Sequence, residues 1–292
     1  MAVRLIERTL TSLVLFLILG IPSTATSAFA QQAAASEDQR IYEVRTRDGV
    51  RYVGYLQVDT PERVVIRTPG GAVIEIPRAN IASITEAEGA LVGQDFRQAD
   101  TNPTHLFFGP TGRSLKRGEG YVGVYELFMP FVQVGVTDRF SIGGGTPLII
   151  GGGGRHPFWV TPKFQLYEAH GASVSVGALH SVNVGDGTFG VAYAAGTFGT
   201  RDNAVTVAVG KAYYNDNRGN EGSLAAMFGG EHRLSRRLKI ITENYVFTGG
   251  GFLSGGVRFL GESLSADVGL ITPIGNADFL VFPIVNVVWR FR

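Results

Sequence analysis

The chain has 292 residues, of which 45% are hydrophobic, only 17% are charged and 40 are glycine, and its formal net charge is +1. Because neither charge is in excess, the composition gives no bias towards nucleic acid or metal as a partner. Cysteine is absent, which excludes disulfides, thiol catalysis and cysteine–metal sites.

Residues 1–30 are predicted to be a signal peptide. Arg4 and Arg8 precede the apolar run LVLFLILGI, and SAFA then offers Ala28 and Ala30 in an A-x-A cleavage pattern. A cleaved signal is favoured over a membrane anchor because the run is too short to cross about 30 Å of hydrocarbon. With no later apolar stretch of about eighteen residues, the secreted chain is expected to be a soluble β protein or an outer-membrane β-barrel.

Residues 41–86 are predicted to form a small five-stranded β module. IYEVRTRDGVRYVGYLQVD contains two alternating runs joined at Asp48 and Gly49, a strong hairpin signal. RVVIRT, the turn PGG, AVIEIP and RANIASI supply the remaining strands. This order of strands and turns resembles Sm-like and SH3-like small barrels. RNA binding is not carried over, since a fold does not fix a function, and a protein-interaction module is expected.

Residues 87–119 are predicted to be a linker, because the sequence is mixed and shows no sustained period. Within it, HLFFGP is apolar enough to dock on another surface. Lys116 and Arg117 stand just before the next β-rich region.

Residues 120–292 are predicted to form an antiparallel barrel of about twelve strands. The strand-like segments are 120–127, 130–137, 140–147, 157–168, 171–182, 188–199, 203–214, 222–234, 238–248, 252–261, 264–272 and 279–291. Short connections such as TDR, TRDN and ES alternate with others that tend to be longer, such as LIIGGGGRHP, a layout typical of outer-membrane barrels. If the module is periplasmic, the short turns are expected on the periplasmic side.

Alternation within these segments predicts which face meets lipid. Val205, Val207 and Val209 alternate with small or polar residues, and segments 157–168 and 264–271 show the same alternation. The apolar face is expected to meet lipid and the small or polar face the lumen. A soluble sandwich would turn the apolar face to a core, but these segments approach the length that spans a bilayer at a tilt. Aromatic residues near strand ends are expected to form an interfacial girdle, namely Tyr121, Phe140, Phe158, Tyr213, Tyr214, Phe259, Trp289 and Phe291.

The stretch VQVGVTDRFSIGGGTP resembles a membrane hairpin with its periplasmic turn. Residues 120–292 as a whole resemble bacterial outer-membrane β-barrels. The resemblance implies an all-β fold and an outer-membrane location, and it carries no functional residue over. FPIVNVVWRFR is predicted to be the last strand, closing against the first. Such barrels often end on an aromatic residue that the insertion machinery recognises, whereas here Phe291 is penultimate and Arg292 follows it.

Charged residues on the inner face are the candidate functional residues. The two-residue loop of Glu262 and Ser263 predicts a register in which Arg258 lies directly opposite Asp267. With the same parity applied to the other strands, the candidate lumen charges are Lys163, Glu231, Glu243, Arg258, Asp267 and Arg290. They are expected to form a salt-bridge network that fills a narrow barrel, with a solute-selecting constriction as the alternative.

No catalytic, cofactor or metal site is predicted. The five histidines lack metal-ligand spacing, and His180 and Ser181 are strand neighbours that face opposite sides, so they cannot form a nucleophile–base pair directly. The chain is therefore predicted to be a non-enzymatic barrel that anchors its periplasmic module or has a structural role. A narrow pore for small solutes is the alternative, and a lipid-modifying enzyme is less favoured. The expected partners are outer-membrane lipid and a periplasmic protein, without nucleic acid.

Overall fold

The part of the chain that the computed structural model describes consists of β-strands joined by turns. The described residues are 40–87, 89–92, 94–148, 156–184, 187–217, 219–275 and 280–291. The predicted signal peptide lies outside them. Within these ranges no helix is long and apolar enough to cross a membrane.

The first five strands form one antiparallel sheet in the order β4-β3-β2-β1-β5. They are β1 (Ile41–Thr46), β2 (Arg51–Asp59), β3 (Arg63–Arg67), β4 (Val73–Pro77) and β5 (Ile81–Glu86), with a 3-10 turn at Arg78–Asn80. Gly49, in the predicted hairpin turn, has φ 88°, which glycine adopts without steric cost. The buried core of the module consists of Val44, Val64, Ile66, Ile76 and Ile81. The predicted five-stranded β module is confirmed.

Twelve strands close into an antiparallel barrel. They are β8 (Gly120–Tyr125), β9 (Met129–Gly135), β10 (Phe140–Gly145), β11 (Phe158–Val160) with β12 (Lys163–Ala169), β13 (Ala172–Val184), β14 (Gly187–Gly199), β15 (Asn203–Asp216), β16 (Gly219–Ser235), β17 (Leu238–Phe247), β18 (Gly250–Leu260), β19 (Leu264–Gly275) and β20 (Phe282–Phe291). β11 and β12 are halves of one strand, interrupted at Pro162, which has no N–H for the ladder. The barrel closes because β20 pairs with β8 and β9 pairs with β10.

The two faces of the wall differ as the alternation predicts. Val205 and Val209 are exposed on the outside, whereas Ala204, Thr206 and Ala208 are buried inside. Other large apolar side chains exposed on the wall are Phe158, Phe164, Leu166, Phe228, Ile240, Phe259, Leu264, Val268, Leu270 and Trp289. The fold is therefore that of an outer-membrane-type β-barrel.

The predicted girdle is wrong at Tyr121. Its side chain is fully buried inside the barrel, and its hydroxyl bonds Thr104 Oγ1 at 2.7 Å and His105 Nδ1 at 2.8 Å. Successive side chains of a strand point to opposite faces. Because Val122 is exposed on the outside of β8, its neighbour Tyr121 points into the barrel.

The segment predicted to be a linker contains regular structure. Its first part forms a two-stranded hairpin, β6 (Gly89–Val92) with β7 (Asp95–Gln98), and the chain then enters the barrel. The module lies at the short-turn end of the barrel, where Arg45 and Arg51 form ion pairs with Glu262. The module and the short turns therefore lie at the same end of the barrel.

Candidate functional site

Residues 99–119, called here the lumen hairpin, fold back on themselves inside the barrel. Leu106 N–H donates to the Gly109 carbonyl at 2.9 Å, and Thr111 N–H donates to the Thr104 carbonyl at 2.9 Å. The hairpin returns to the short-turn end, where Gly118 N–H donates to the carbonyl of Gly135 at 3.0 Å. Both legs therefore pass the same end of the barrel.

The lumen hairpin approaches the wall too closely for a side chain at one point. A Cβ on Gly112 would lie 2.0 Å from the Ser173 carbonyl oxygen. Instead, Gly112 N–H donates to Thr197 Oγ1 at 2.8 Å. Glycine at this position thus allows direct contact between the hairpin backbone and the barrel.

Arg258 is the main contact between the wall and the hairpin. It is completely buried, and its Nε and Nη2 bind the two carboxylate oxygens of Asp267 at 2.6 and 3.0 Å. Nη1 donates to the carbonyl of Asn102 at 2.7 Å, and Nη2 also donates to the carbonyl of Leu106. Arg258 and Asp267 are directly opposite on β18 and β19, the register that the two-residue loop predicts.

A second group of charges joins the first leg of the hairpin to the wall. Lys239 Nζ binds Asp100 Oδ2 at 2.6 Å and Glu231 Oε2 at 2.7 Å. The other oxygen of Glu231 pairs with Arg113, on the second leg. Each charge in this buried group has an opposite partner, which offsets the cost of removing it from water.

The tip of the lumen hairpin is held by one carboxylate. Glu243 Oε2 accepts backbone N–H bonds from Phe107 at 2.7 Å, Phe108 at 3.1 Å and Gly109 at 3.0 Å. Tyr245 donates its hydroxyl to Glu243 Oε1 at 2.7 Å. Three successive amides that converge on one anion form a stable backbone cradle.

Apolar side chains also line the inner face around the tip, where the sequence predicts small or polar residues. Leu106 and Phe107 are completely buried against Ile241, Ile284 and Met227. Inward-facing isoleucines are favourable here because the hairpin excludes water from them, as a soluble core does.

The six predicted lumen charges all lie on the inner side of the wall. Lys163 is buried and donates to the carbonyl of Thr104 at 3.3 Å. Arg290 lies near the short-turn end and pairs with Glu119 at 2.9 Å. The remaining four are Glu231, Glu243, Arg258 and Asp267, which take part in the contacts described above. Each of these side chains binds an opposite charge or the backbone of the hairpin.

The sequence prediction missed several residues of the site. Lys239 shares inward parity with Glu243, so the same alternation rule could have found it. Asp100 and Arg113 lie on the hairpin, where no periodicity indicates which way a side chain points.

His180 and Ser181 face opposite sides of β13, as predicted. His180 Nδ1 bonds the hydroxyl of Tyr213 at 2.6 Å, while Ser181 Oγ donates to the carbonyl of Phe158 at 3.3 Å. Among the described residues, no three His, Asp or Glu side chains are grouped as they would be to hold a metal ion.

Comparison with known proteins gives likeness of fold only. No family model matches the sequence, and no curated protein matches it. The solved structure titled "KdgM porin" has a TM-score of 0.45 at 9% identity, over 60% of this chain and 98% of that chain. A NanC porin has a TM-score of 0.43 at 10% identity over 60% and 98%. A loop L8 deletion mutant of OmpT, an outer membrane protein of Vibrio cholerae, has a TM-score of 0.39 at 12% identity over 87% and 97%.

Proposed function

We propose that this chain is a non-enzymatic outer-membrane β-barrel that holds its small β module on the periplasmic side and keeps its own lumen closed. The exposed apolar wall suits lipid, and the module lies at the end with the short turns. The module is then available to a periplasmic protein partner, while the barrel is the anchor.

The observation that carries the proposal is the binding of the lumen hairpin to Arg258. This guanidinium holds Asp267 in the wall and the carbonyls of Asn102 and Leu106 in the hairpin. Each hydrogen bond from a charged donor such as this guanidinium contributes about 1.5–3 kcal/mol. These bonds support a hairpin that stays seated, and we expect such a hairpin to leave no continuous passage for a solute.

Conductance across planar bilayers tests the closed lumen. We expect the wild-type protein to be silent, and a variant in which residues 101–117 are replaced by a short Gly/Ser linker to conduct. A short linker suffices because both legs of the hairpin pass the same end of the barrel. Arg139→Ala, at an exposed turn position, is the control that should stay silent. Steady single-channel steps from the wild-type protein would contradict the proposal.

Cysteine labelling in intact cells tests the orientation, since the chain has no native cysteine. Val73 is exposed on the module, and Glu221 is exposed at the opposite end of the barrel. We expect a membrane-impermeant maleimide to label Glu221→Cys in intact cells, and Val73→Cys only after the outer membrane is permeabilised. The reverse pattern would place the module outside the cell.

A narrow pore is the second candidate function, and one observation favours it. The lumen hairpin enters and leaves by the same end, and it is held by hydrogen bonds, ion pairs and packing. Withdrawal of the hairpin would leave Lys163, Glu231 and Arg258 on the inner wall as a charged lining. Bilayer conductance measures this function. A current that appears only after the hairpin is displaced, by force or by a chemical agent, would support it.

A further inference from the structure

A single charged side chain lies on the outer face of the barrel wall. Lys211, on β15, is exposed and shares the outward parity of the exposed Val205 and Val209. Among the Lys, Arg, Asp and Glu residues of the described wall strands, it is the only one with that parity. A lysine that faces lipid destabilises a barrel, and more so the deeper it lies. A charge at such a position is therefore a candidate functional group.

The side chain of Lys211 leans towards the end of the barrel opposite the short turns. Leu224 on β16 lies directly opposite Lys211, whereas Gly222 lies opposite Tyr213, two positions nearer that end. A Cβ on Gly222 would lie 3.5 Å from Lys211 Cε, so the lysine stem passes over the bare backbone of this glycine. Within the described part of the chain, the ammonium has no hydrogen bond or ion pair. A lysine near a membrane boundary bends in this way to bring its charge to the headgroups.

A hydrogen-bonded tyrosine and histidine lie at the level that the lysine reaches. His180, Gly190, Tyr213 and Gly222 form one row across β13, β14, β15 and β16. The Tyr213 hydroxyl and His180 Nδ1 are 2.6 Å apart. The tyrosine ring crosses Gly190, where any side chain would collide with it. The two glycines thus make room for Tyr213 and Lys211 on the same part of the outer wall.

The pair of Tyr213 and His180 keeps one donor free in either neutral tautomer of the imidazole. If the hydroxyl donates to Nδ1, the Nε2–H remains to donate outwards. If the Nδ1–H donates to the hydroxyl oxygen, the tyrosine O–H remains instead. A cation and a neighbouring neutral donor suit a group with several anionic oxygens.

We propose that Lys211, Tyr213 and His180 bind the phosphate of a membrane lipid. The inference rests on the proposed function, because it requires a wall that faces lipid. Leu224 and Val209 are exposed beside Lys211 and can pack against acyl chains, which favours a lipid over a free phosphate ion or a protein partner. Outward tyrosines near strand ends lie at the headgroup level of a bilayer, where lipid phosphates are found. The phosphate offsets the charge that the wall otherwise exposes to lipid.

Native mass spectrometry of the full chain, released from an uncharged detergent, tests this proposal. The probes are phosphatidic acid, diacylglycerol with the same acyl chains and no phosphate, and inorganic phosphate. We expect the wild-type protein to bind phosphatidic acid more tightly than diacylglycerol. Lys211→Gln should lower the affinity for phosphatidic acid roughly fivefold, and Lys211→Arg should keep it. Tyr213→Phe should also lower it, because it breaks the donor pair.

The matched control is Arg47→Gln, which removes the same charge from an exposed position of the module and should leave the affinity unchanged. Lys211→Gln removes a charge without a protein partner, so its melting temperature in micelles should not fall below that of the wild type.

Three results would overturn the proposal: no preference of the wild-type protein for phosphatidic acid, equal affinities in the wild type and Lys211→Gln, or displacement of the lipid by inorganic phosphate at the same concentration. The last is the result for a site that takes a free ion. Failure of the lipid-facing wall itself gives a different result, in which neither lipid binds to the wild type or to any variant.

Discussion

Arg258 and Asp267 face each other across β18 and β19, and the guanidinium binds both carboxylate oxygens, at 2.6 and 3.0 Å. The same guanidinium donates to the carbonyl of Asn102 at 2.7 Å. One side chain thus belongs both to the wall and to the attachment of the lumen hairpin. The stability of the wall and the attachment of the hairpin are consequently coupled at this position.

Replacement of Arg258 by alanine is expected to destabilise the protein by about 3–5 kcal/mol, because it leaves the buried carboxylate of Asp267 without its partner. Urea unfolding in micelles measures the change. Arg139→Ala, in an exposed turn, should lie within about 0.5 kcal/mol of the wild type. Equal stabilities for the two variants would show that the buried pair contributes little.

Replacement of Glu243 by glutamine is expected to loosen the tip of the lumen hairpin. The neutral amide loses the charge-assisted bonds from the amides of Phe107, Phe108 and Gly109, a cost of about 2 kcal/mol. Hydrogen exchange at residues 107–109 should then be roughly thirtyfold faster.

The matched control for this experiment is Glu221→Gln at an exposed position, which should leave exchange at the tip unchanged. Unaltered exchange in Glu243→Gln would mean that the apolar packing of Leu106 and Phe107 holds the tip by itself.

Contact between the module and the barrel is expected to weaken in acid. The hydrogen bond from Arg45 and the charge of Arg51 lower the pKa of Glu262 from its ordinary value of 4.5. A lowered folded-state pKa means that the stabilisation is complete above 4.5 and is lost as the pH falls through the lowered pKa. The contribution stays below about 1 kcal/mol because the carboxylate is half exposed.

Energy transfer between dyes on Val73→Cys and Arg139→Cys measures this contact, and the absence of native cysteine makes the labelling specific. The signal should change below pH 4.5 in the wild-type background and not in Glu262→Gln. An identical pH dependence in both backgrounds would assign the change to another group.

An arginine at Val209 is expected to destabilise the barrel in lipid vesicles by about 2–4 kcal/mol, since this exposed position lies midway along β15. Val73→Arg makes the same substitution at an exposed position of the module and should cost no more than about 0.5 kcal/mol. Unfolding in vesicles compares the two. A cost at Val209 no larger than at Val73 would argue against a lipid-facing wall.

Local patterns were sufficient to predict the barrel wall and its register. Strands of period 2 separated by short turns leave few pairing options, and the loop at Glu262 and Ser263 alone places Arg258 opposite Asp267. The same parity correctly turns Val209 outward.

The lumen hairpin was beyond such reasoning. The hairpin has few backbone hydrogen bonds of its own. Asp100 and Arg113 are positioned by ion pairs with Lys239 and Glu231, which lie more than a hundred residues further along the chain. A segment without periodicity looks the same in sequence whether it crosses solvent or fills a lumen. The inward isoleucine Ile284 could not be foreseen for the same reason, because it is favourable only when the hairpin is present.

The separation in sequence between the hairpin and the wall has a consequence for folding. Most strand pairs of the wall join neighbouring segments, whereas the bonds from Lys239 to Asp100 and from Arg258 to Leu106 span 139 and 152 residues. Contacts that close such long loops form late, because the loss of chain entropy precedes any gain in energy. Seating of the hairpin is therefore expected late in refolding, after β17 and β18 have formed. Closure of the wall by β20 and β8 joins residues even further apart in sequence and is expected to be late as well.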